Sequence, residues 1–299
     1  MSRSVSVIGV PTSAGAFAPG QEEAPTALRA AGLIDALVRA GLVVRDDGDC
    51  ATWRWRPDRE NRRAQNLPQV VAIVRDTTER VAAAANELTL VLGGDCTVGI
   101  GTVAGHVRHG RVGLVYFDLH ADLNVPASVR PGALDWMGMA HMLREDGAAP
   151  ELAGVVGGTP LLAPAQVVLF GWGPEQAQPG ERDAIGRLHL PVISIDEVSA
   201  DPHGAAVRAL ALLEPAERLL VHFDTDVIDF TDTPLSENTG RNEGLTYAAA
   251  MQALEILLAS PKLFGLTVTE LNPAHVEEGA GSIERLARDL ARCLGDPTR

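Results

Sequence analysis

The chain has 299 residues, a formal charge of −14 from 25 basic and 39 acidic side chains, and 46% hydrophobic residues, which is a globular composition. Its acidic balance argues against a nucleic-acid partner or an anionic membrane surface, because phosphate groups are bound by basic surfaces. No apolar run reaches the roughly 20 residues that span a bilayer. The N-terminus lacks a secretory apolar region, and three scattered cysteines exclude a disulfide framework. We therefore expect a cytoplasmic protein with a single domain over residues 1–299.

Eight short runs of apolar and β-branched residues predict strands along the chain. They are Ser4–Val10, Leu42–Asp46, Leu88–Gly93, Val112–Phe117, Ala165–Phe170, Pro191–Ile195, Arg218–Phe223 and Phe264–Thr269. Alanine-rich amphipathic stretches predict helices at Pro25–Arg39, Pro68–Asn86, Val98–His109, Trp136–Glu145, Ala200–Leu213, Thr246–Ala259 and Ser282–Leu294. Alternating strands and helices indicate an α/β fold, and near-continuous apolar strands indicate a mostly parallel sheet that is covered on both faces.

Residues 51–65, ATWRWRPDRENRRAQ, form a polar segment with two tryptophans and five arginines between a predicted strand and a predicted helix. Tryptophan and arginine are enriched at binding surfaces, so the segment is either a substrate lid or a subunit contact, of which the contact is favoured. The alternative is a solvated loop whose arginines pair with the acidic surface.

Acidic residues follow two of the predicted strands. Asp118, His120 and Asp122 come after Phe117, and Asp224 and Asp226 come after Phe223. Alternate side chains point the same way in extended backbone, and ligands bind at the carboxyl ends of parallel strands. Carboxylates crowded there repel one another unless divalent cations neutralise them, and carboxylates with one imidazole suit Mn²⁺. The pattern predicts a centre of two ions that could activate a hydroxide.

Six motifs follow one another in an order found in one enzyme family: IGVPTSAGAFAPGQEEAPTALRAAGL, VLGGDC, FDLHADLN, HFDTDVID, EGLTY and TELNP. On these motifs the chain resembles the arginase–agmatinase (ureohydrolase) family over nearly its whole length. The resemblance implies a three-layer α/β/α fold with an eight-stranded parallel sheet, and a homo-oligomer that is a trimer or a hexamer. It also implies two Mn²⁺ ions and a metal-bridging hydroxide that cleaves a guanidino or amidino C–N bond of a small molecule and releases urea.

The resemblance assigns roles to individual residues. The residues that match metal ligands are Asp118, His120, Asp122, Asp224 and Asp226, with Asp118 and Asp224 as bridging carboxylates. Glu270 matches the glutamate that grips the substrate guanidinium, a charge-assisted pairing that places the carbon near the hydroxide. Asp226 or a neighbouring carboxylate orients that hydroxide. Asn124 and Thr246 match pocket-lining positions, and Asp229 matches a carboxylate with a structural role.

The first departure from the family is Cys96, which stands where the family's GGDH motif has a histidine ligand. A thiolate is a competent but softer ligand, so we expect Cys96 to bind an ion and the metal preference to move towards zinc or iron. The alternative is a buried thiol that binds no metal. A cysteine at this position also resembles the N-hydroxy-arginine hydrolase of an antibiotic-biosynthesis pathway, which indicates that cysteine is compatible with amidinohydrolysis.

A second departure concerns the proton shuttle, which arginases place on a histidine in an SGNxHG segment. The corresponding residues 131–139 contain no histidine, and Trp136 or Met137 falls at that position. His141 lies about one helical turn beyond Met137 and is a candidate replacement, the alternative being an ordinary helix-surface histidine. Without a shuttle, water has to protonate the leaving amine and turnover should be slower.

A third departure lies before the PGE segment, where arginases use acidic residues to meet the ammonium group of the substrate. Gln176 and Gln178 are near those positions here. Because glutamine is neutral, L-arginine is disfavoured as the substrate unless Glu175 or Glu181 compensates.

Two other functions are alternatives to a urea-releasing hydrolase. The departures favour a catalytically impaired pseudoenzyme with a regulatory or structural role, and urea release that disappears in Asp118→Ala and Asp224→Ala variants would exclude it. Amide deacetylation on the related single-metal fold is disfavoured, because that class does not keep both acidic motifs with this spacing.

Overall fold

The computed structural model describes residues 3–155, 157, 159–241, 243–277, 279 and 281–295. The strands are β1 (Ser4–Gly9), β2 (Val43–Asp49), β3 (Leu88–Leu92), β4 (Val112–Phe117), β5 (Val167–Trp172), β6 (Val192–Ser194), β7 (Arg218–Asp224) and β8 (Leu263–Thr269). They form one eight-stranded sheet in the order β2-β1-β3-β8-β7-β4-β5-β6, and all neighbouring strands pair in parallel. The predicted α/β class and parallel sheet are confirmed, and each predicted strand overlaps one of these eight.

The helices lie between the strands in the chain, except α11, which follows β8. They are α1 (Ala24–Ala30), α2 (Leu33–Arg39), α3 (Leu67–Ala84), α4 (Val98–His106), α5 (Gly138–Leu143), α6 (Pro150–Ala153), α7 (Pro179–Leu188), α8 (Ile195–Ala200), α9 (Pro202–Leu212), α10 (Tyr247–Leu258) and α11 (Ser282–Leu294). Among the described residues, none of these helices combines the length and the apolar character that crossing a membrane requires.

The helices differ from the sequence prediction in two ways. The predicted helix Pro25–Arg39 is broken at Gly32, whose φ of 83° is a left-handed conformation that glycine adopts without steric cost. Helices α6, α7 and α8 were not predicted. Helix α7 buries only Glu181 and Ala184, so its sequence carries too weak an apolar period to be detected.

The helices cover both faces of the sheet. Successive side chains of β4 alternate between two apolar cores: Val115 and Phe117 lie in the core shared with α1, α2, α8, α9, α10 and α11. Leu114 and Tyr116 lie in the core shared with α3, α4 and α5. This alternation follows from the period of two in a strand and gives the three-layer α/β/α arrangement.

The strand order places the acidic motifs together. Strands β3, β8, β7 and β4 are consecutive neighbours in the middle of the sheet. Their carboxyl ends lead to Cys96, Glu270, Asp224 and Asp118 respectively, although these residues are far apart in the chain. Because all four strands run in the same direction, these side chains meet at one edge of the sheet.

Candidate metal centre

Two groups of metal-ligating side chains meet at this edge. Ligand atoms of four residues lie within 4.8 Å of one another in the first group, which consists of Cys96, Asp118, His222 and Asp224. The second group meets the same limit and consists of Asp118, His120 and Asp226. Asp118 belongs to both groups, so the two are adjacent and joined through one carboxylate. Two adjacent groups with a shared carboxylate have the arrangement of a dinuclear centre.

Short backbone contacts hold the carboxylates in place. The N–H of His120 donates to Asp118 Oδ1 at 2.6 Å, and the N–H of Asp226 donates to Asp224 Oδ1 at 2.7 Å. Asp118 Oδ2 is buried and has no hydrogen-bond partner among the described residues. Since buried carboxylate oxygens are normally satisfied, this oxygen fits the place of a metal ligand.

The electrostatics of the cluster also fit cations. Burial raises the pKa of the Asp118 carboxyl to about 6, and the charge of Asp226 adds to the shift. Burial and the charges of Asp226 and Asp118 raise the pKa of Asp224 well above its ordinary value. Burial opposes the charged form of His120, but Asp226 and Asp118 outweigh it and raise the pKa of the imidazole. Divalent cations would offset the cost of burying the charged carboxylates and relieve the repulsion between them.

Asp122 lies beside the two groups rather than inside them. Its Oδ2 accepts a hydrogen bond of 2.5 Å from the Tyr116 hydroxyl, and its φ of 49° is rare for a residue other than glycine. The carboxylate borders the same cavity as His120 and Asp226. Its assignment as a metal ligand stays a prediction.

A family model of the arginase family matches residues 3–295. The chain belongs to the arginase family. It is 30% identical to human arginase-1 over 91% of this chain and 86% of that protein, and 31% identical to human mitochondrial arginase-2 over 99% and 86%. Its structure is similar to that of arginase from Bacillus cereus, with a TM-score of 0.86 and 26% identity over 99% of this chain and 100% of the other. It is therefore a hydrolase of amidino or guanidino C–N bonds.

The arginase-family site opens into a cavity of about 240 Å³. Its walls include eleven residues that the sequence analysis singled out, namely Cys96, His120, Asp122, Asn124, Trp136, Gln176, Gln178, Glu181, Asp224, Asp226 and Glu270. Further wall residues are Phe17, Asp135, Glu237 and Asn238. The rings of Phe17 and Trp136 lie 5.9 Å apart between centroids.

Glu270 lines the cavity, and both oxygens of its carboxylate accept hydrogen bonds. Its Oε1 accepts a hydrogen bond from the Cys96 N–H at 3.0 Å, and its Oε2 accepts one of 2.5 Å from Gln21 Nε2. Its φ of 61° is again in the left-handed region, a strain that the surrounding fold has to offset. Burial, followed by the charges of Asp135 and Asp224, raises the pKa of the Glu270 carboxyl well above its ordinary value.

Of the three other predicted pocket residues, two line the cavity and one does not. Asn124 is buried and lines the cavity. Glu181 also lines it, but its two oxygens accept backbone hydrogen bonds from Leu123 (3.3 Å) and Gln178 (2.9 Å). Thr246 is exposed and caps α10, where its Oγ1 accepts from the Ala249 N–H at 3.2 Å. The structure therefore brings Asn124 and Glu181 to the cavity but places Thr246 outside its walls.

Asp229 has the position of an organising residue. Its Oδ1 accepts hydrogen bonds from the N–H and the hydroxyl of Thr231, at 2.8 and 2.5 Å, and its Oδ2 accepts from the Glu243 N–H at 3.0 Å. These bonds fix the loop that follows the second acidic motif, and the structural role of Asp229 stays a prediction.

His141 is neither at the helix surface nor at the cavity wall. It is 1% exposed, its Nδ1–H donates to the Met137 carbonyl at 2.6 Å, and its Nε2 accepts from the Ala149 N–H at 3.1 Å. The helix-surface interpretation was wrong because every residue of α5 is buried. Both ring nitrogens are engaged with the backbone, so the imidazole is not placed to act as a proton shuttle.

The buried His141 makes the fold sensitive to acid. Burial lowers the pKa of His141 from 6.5 to about 4, because the charged imidazolium would lose its hydration inside the protein. Between these pH values the unfolded chain binds a proton that the fold does not, so the free energy of unfolding falls as the pH falls. The free energy of unfolding of the wild type falls between pH 7 and pH 5, and we expect His141→Gln to reduce this fall by on the order of 2 kcal/mol. The measurement is urea unfolding of metal-free protein at the two pH values. Equal losses in both proteins would contradict this assignment.

His222, Gln21 and Tyr116 contribute to the site but were not predicted. His222 Nε2 lies 3.3 Å from Cys96 Sγ, and its ring stacks on Tyr116 with a centroid distance of 4.4 Å. Burial lowers the pKa of His222 to about 3, so the imidazole is neutral. The signal for His222 was its place two residues before Asp224, which puts both side chains on one face of β7. Gln21 gave no local signal.

The segment of residues 51–65 is tied to the loops beside the cavity. The Ser13 N–H donates to the Trp53 carbonyl at 2.9 Å, and the Gln65 N–H donates to the Gly132 carbonyl at 2.9 Å. Arg54 pairs with the buried carboxylate of Glu22 at 3.2 Å. The assignment of residues 51–65 as a lid or a subunit contact stays a prediction.

Proposed function

We propose that this arginase-family hydrolase is a urea-releasing amidinohydrolase that acts on a small guanidino compound with two Mn²⁺ ions, or with Zn²⁺ or Fe²⁺ where Cys96 binds. The observation that carries the proposal is the pair of ligand groups joined at Asp118, with Glu270 on the wall of the same cavity. When bound, such ions lower the pKa of water and so supply a hydroxide nucleophile at neutral pH.

The side chains of the cavity divide the remaining work. Glu270 pairs with the guanidinium and positions its carbon, since a carboxylate and a guanidinium form charge-assisted, directional hydrogen bonds. Asp226, which borders the cavity and accepts a hydrogen bond from Asn238 Nδ2 at 3.1 Å, orients the nucleophile. Water protonates the leaving amine, because residues 131–139 contain no histidine and both ring nitrogens of His141 are bonded to the backbone.

The outer walls support a substrate without an α-ammonium group. Gln176 and Gln178 are neutral, and both oxygens of Glu181 accept backbone hydrogen bonds. Phe17 and Trp136 add aromatic surface. The neutral side chains at residues 176 and 178 disfavour the α-ammonium group of L-arginine at this part of the wall.

A substrate screen with detection of urea tests the proposal. Protein loaded with Mn²⁺ is assayed with arginine, N-hydroxy-arginine, agmatine and guanidino acids, and again after loading with Zn²⁺ or Fe²⁺. We expect urea release, with a larger kcat/KM for a compound that lacks the α-ammonium group than for L-arginine. No urea from any compound with any of these metals would favour the pseudoenzyme alternative. Light scattering on the same protein tests whether it forms the trimer or hexamer that we propose.

A further inference from the structure

One member of the first ligand group is an imidazole that comes from within the sheet rather than from the loops beyond the strand ends. His222 is the fifth residue of β7 and is 2% exposed. Its Nε2 lies 3.3 Å from Cys96 Sγ, while Asp224 Oδ2 lies 2.9 Å from the same sulfur. The unpartnered Asp118 Oδ2 belongs to the same buried cluster. Four donors of three chemical kinds therefore converge on one point.

The distance between the sulfur of Cys96 and the imidazole nitrogen of His222 is that of two donors around one ion. With metal–sulfur and metal–nitrogen bonds near 2.3 and 2.1 Å, neighbouring donors of a four-coordinate site lie about 3.0–3.6 Å apart. The observed separation of 3.3 Å between sulfur and nitrogen is within this range. We propose that His222 is a metal ligand, so that the ion bound by Cys96 is held by a thiolate, an imidazole and the carboxylates of Asp118 and Asp224.

Neighbouring residues fix the ring in this orientation. Tyr116 stacks on it with an interplanar angle of 9°. On the other side, a Cβ added at Gly99 would come within 2.7 Å of His222 Nδ1, so a glycine at this point of α4 leaves room for the imidazole. The ring is thus packed with its Nε2 directed towards Cys96 and Thr269.

The donor set determines which metal the site prefers. This inference rests on the proposed function. Cysteine stands where the family resemblance places a histidine, and His222 restores an imidazole to the same ion from β7, which β8 separates from the strand that leads to Cys96. A site with one sulfur and one nitrogen donor prefers Zn²⁺, Co²⁺ or Fe²⁺ to Mn²⁺, whereas the group of Asp118, His120 and Asp226 lacks sulfur. We therefore infer two unequal sites.

The test compares His222→Asn with His106→Asn. His106 is also a fully buried histidine, but its Nε2 lies 2.9 Å from Thr89 Oγ1, and it belongs to neither ligand group. The affinity for Zn²⁺ is measured by competition with a chelator. We expect His222→Asn to weaken the tighter site by about a hundredfold or more, and His106→Asn to retain the wild-type affinity.

A second readout separates a ligand from a residue that only positions Cys96. Protein with ¹⁵N-labelled histidine is loaded with ¹¹³Cd, and scalar coupling between cadmium and Nε2 of His222 reports a direct bond. We expect this coupling in the wild type and its loss in Gly99→Ala, which displaces the ring without removing it. Bound cadmium with no coupling to His222 would overturn the proposal. Because these measurements use no substrate, absence of urea release would contradict the proposed function and leave this inference standing.

Discussion

Asp118→Asn is expected to abolish urea release and to reduce bound metal at the same time. Among the described residues Asp118 belongs to both ligand groups, so its loss takes a donor from each ion. Metal ions supply several kcal/mol of transition-state stabilisation in hydrolysis, and we therefore expect kcat/KM to fall by about a thousandfold or more. The measurements are initial rates of urea release and the metal content of dialysed protein.

Stability distinguishes the loss of a ligand from the loss of the fold. The Asp118 carboxyl is 1% exposed, and burial raises its pKa to about 6, so the fold disfavours its charge. Neutral asparagine should leave the Tm of the metal-free protein unchanged or higher, while the rise in Tm on adding metal shrinks. Asp196→Asn, on the exposed side of α8, is the control and should behave as the wild type. An Asp118→Asn protein that keeps its metal and its activity would contradict the bridging role.

The strands of this fold could be predicted because burial on both faces leaves an uninterrupted apolar run, as in Val112–Phe117. Helix α5 shows where the same reasoning fails. All six of its residues are buried, so the sequence has no polar face from which the direction of His141 could be inferred. Helix α3 could be located from the sequence because it is long and has both a buried apolar face and an exposed polar face.

The site residues that could be predicted are those that lie at alternate positions at the end of a strand. This reasoning gave Asp118 and Asp224, and it also applies to His222, which occupies the same face of β7 as Asp224. Contacts between distant segments could not be predicted in this way. Gln21 reaches Glu270 across 249 residues, and the neighbourhood of β3, β8, β7 and β4 is set by the order of strands in the sheet, which no local pattern specifies.

Glu270→Gln is expected to lower kcat/KM for a guanidino substrate by roughly a hundredfold while the metal content stays that of the wild type. The carboxylate lines the cavity but belongs to neither ligand group. A hydrogen bond between ionised partners contributes about 3 kcal/mol at most, which corresponds to this factor. Urea release across substrate concentrations and metal analysis of the same samples measure the two quantities.

The hydrogen bonds of Glu270 allow the loss of charge to be separated from a change in orientation. Glutamine offers one acceptor oxygen, so the Cys96 N–H and the Gln21 amide can no longer both donate to residue 270. Gln21→Ala removes the second donor and lets the amide of Glu270→Gln accept from Cys96. If charge is the cause, the double variant remains as slow as Glu270→Gln, whereas recovery of the rate would assign the loss to orientation. A loss of metal in Glu270→Gln would instead place Glu270 among the ligands, because substrate binding alone leaves the metal content unchanged.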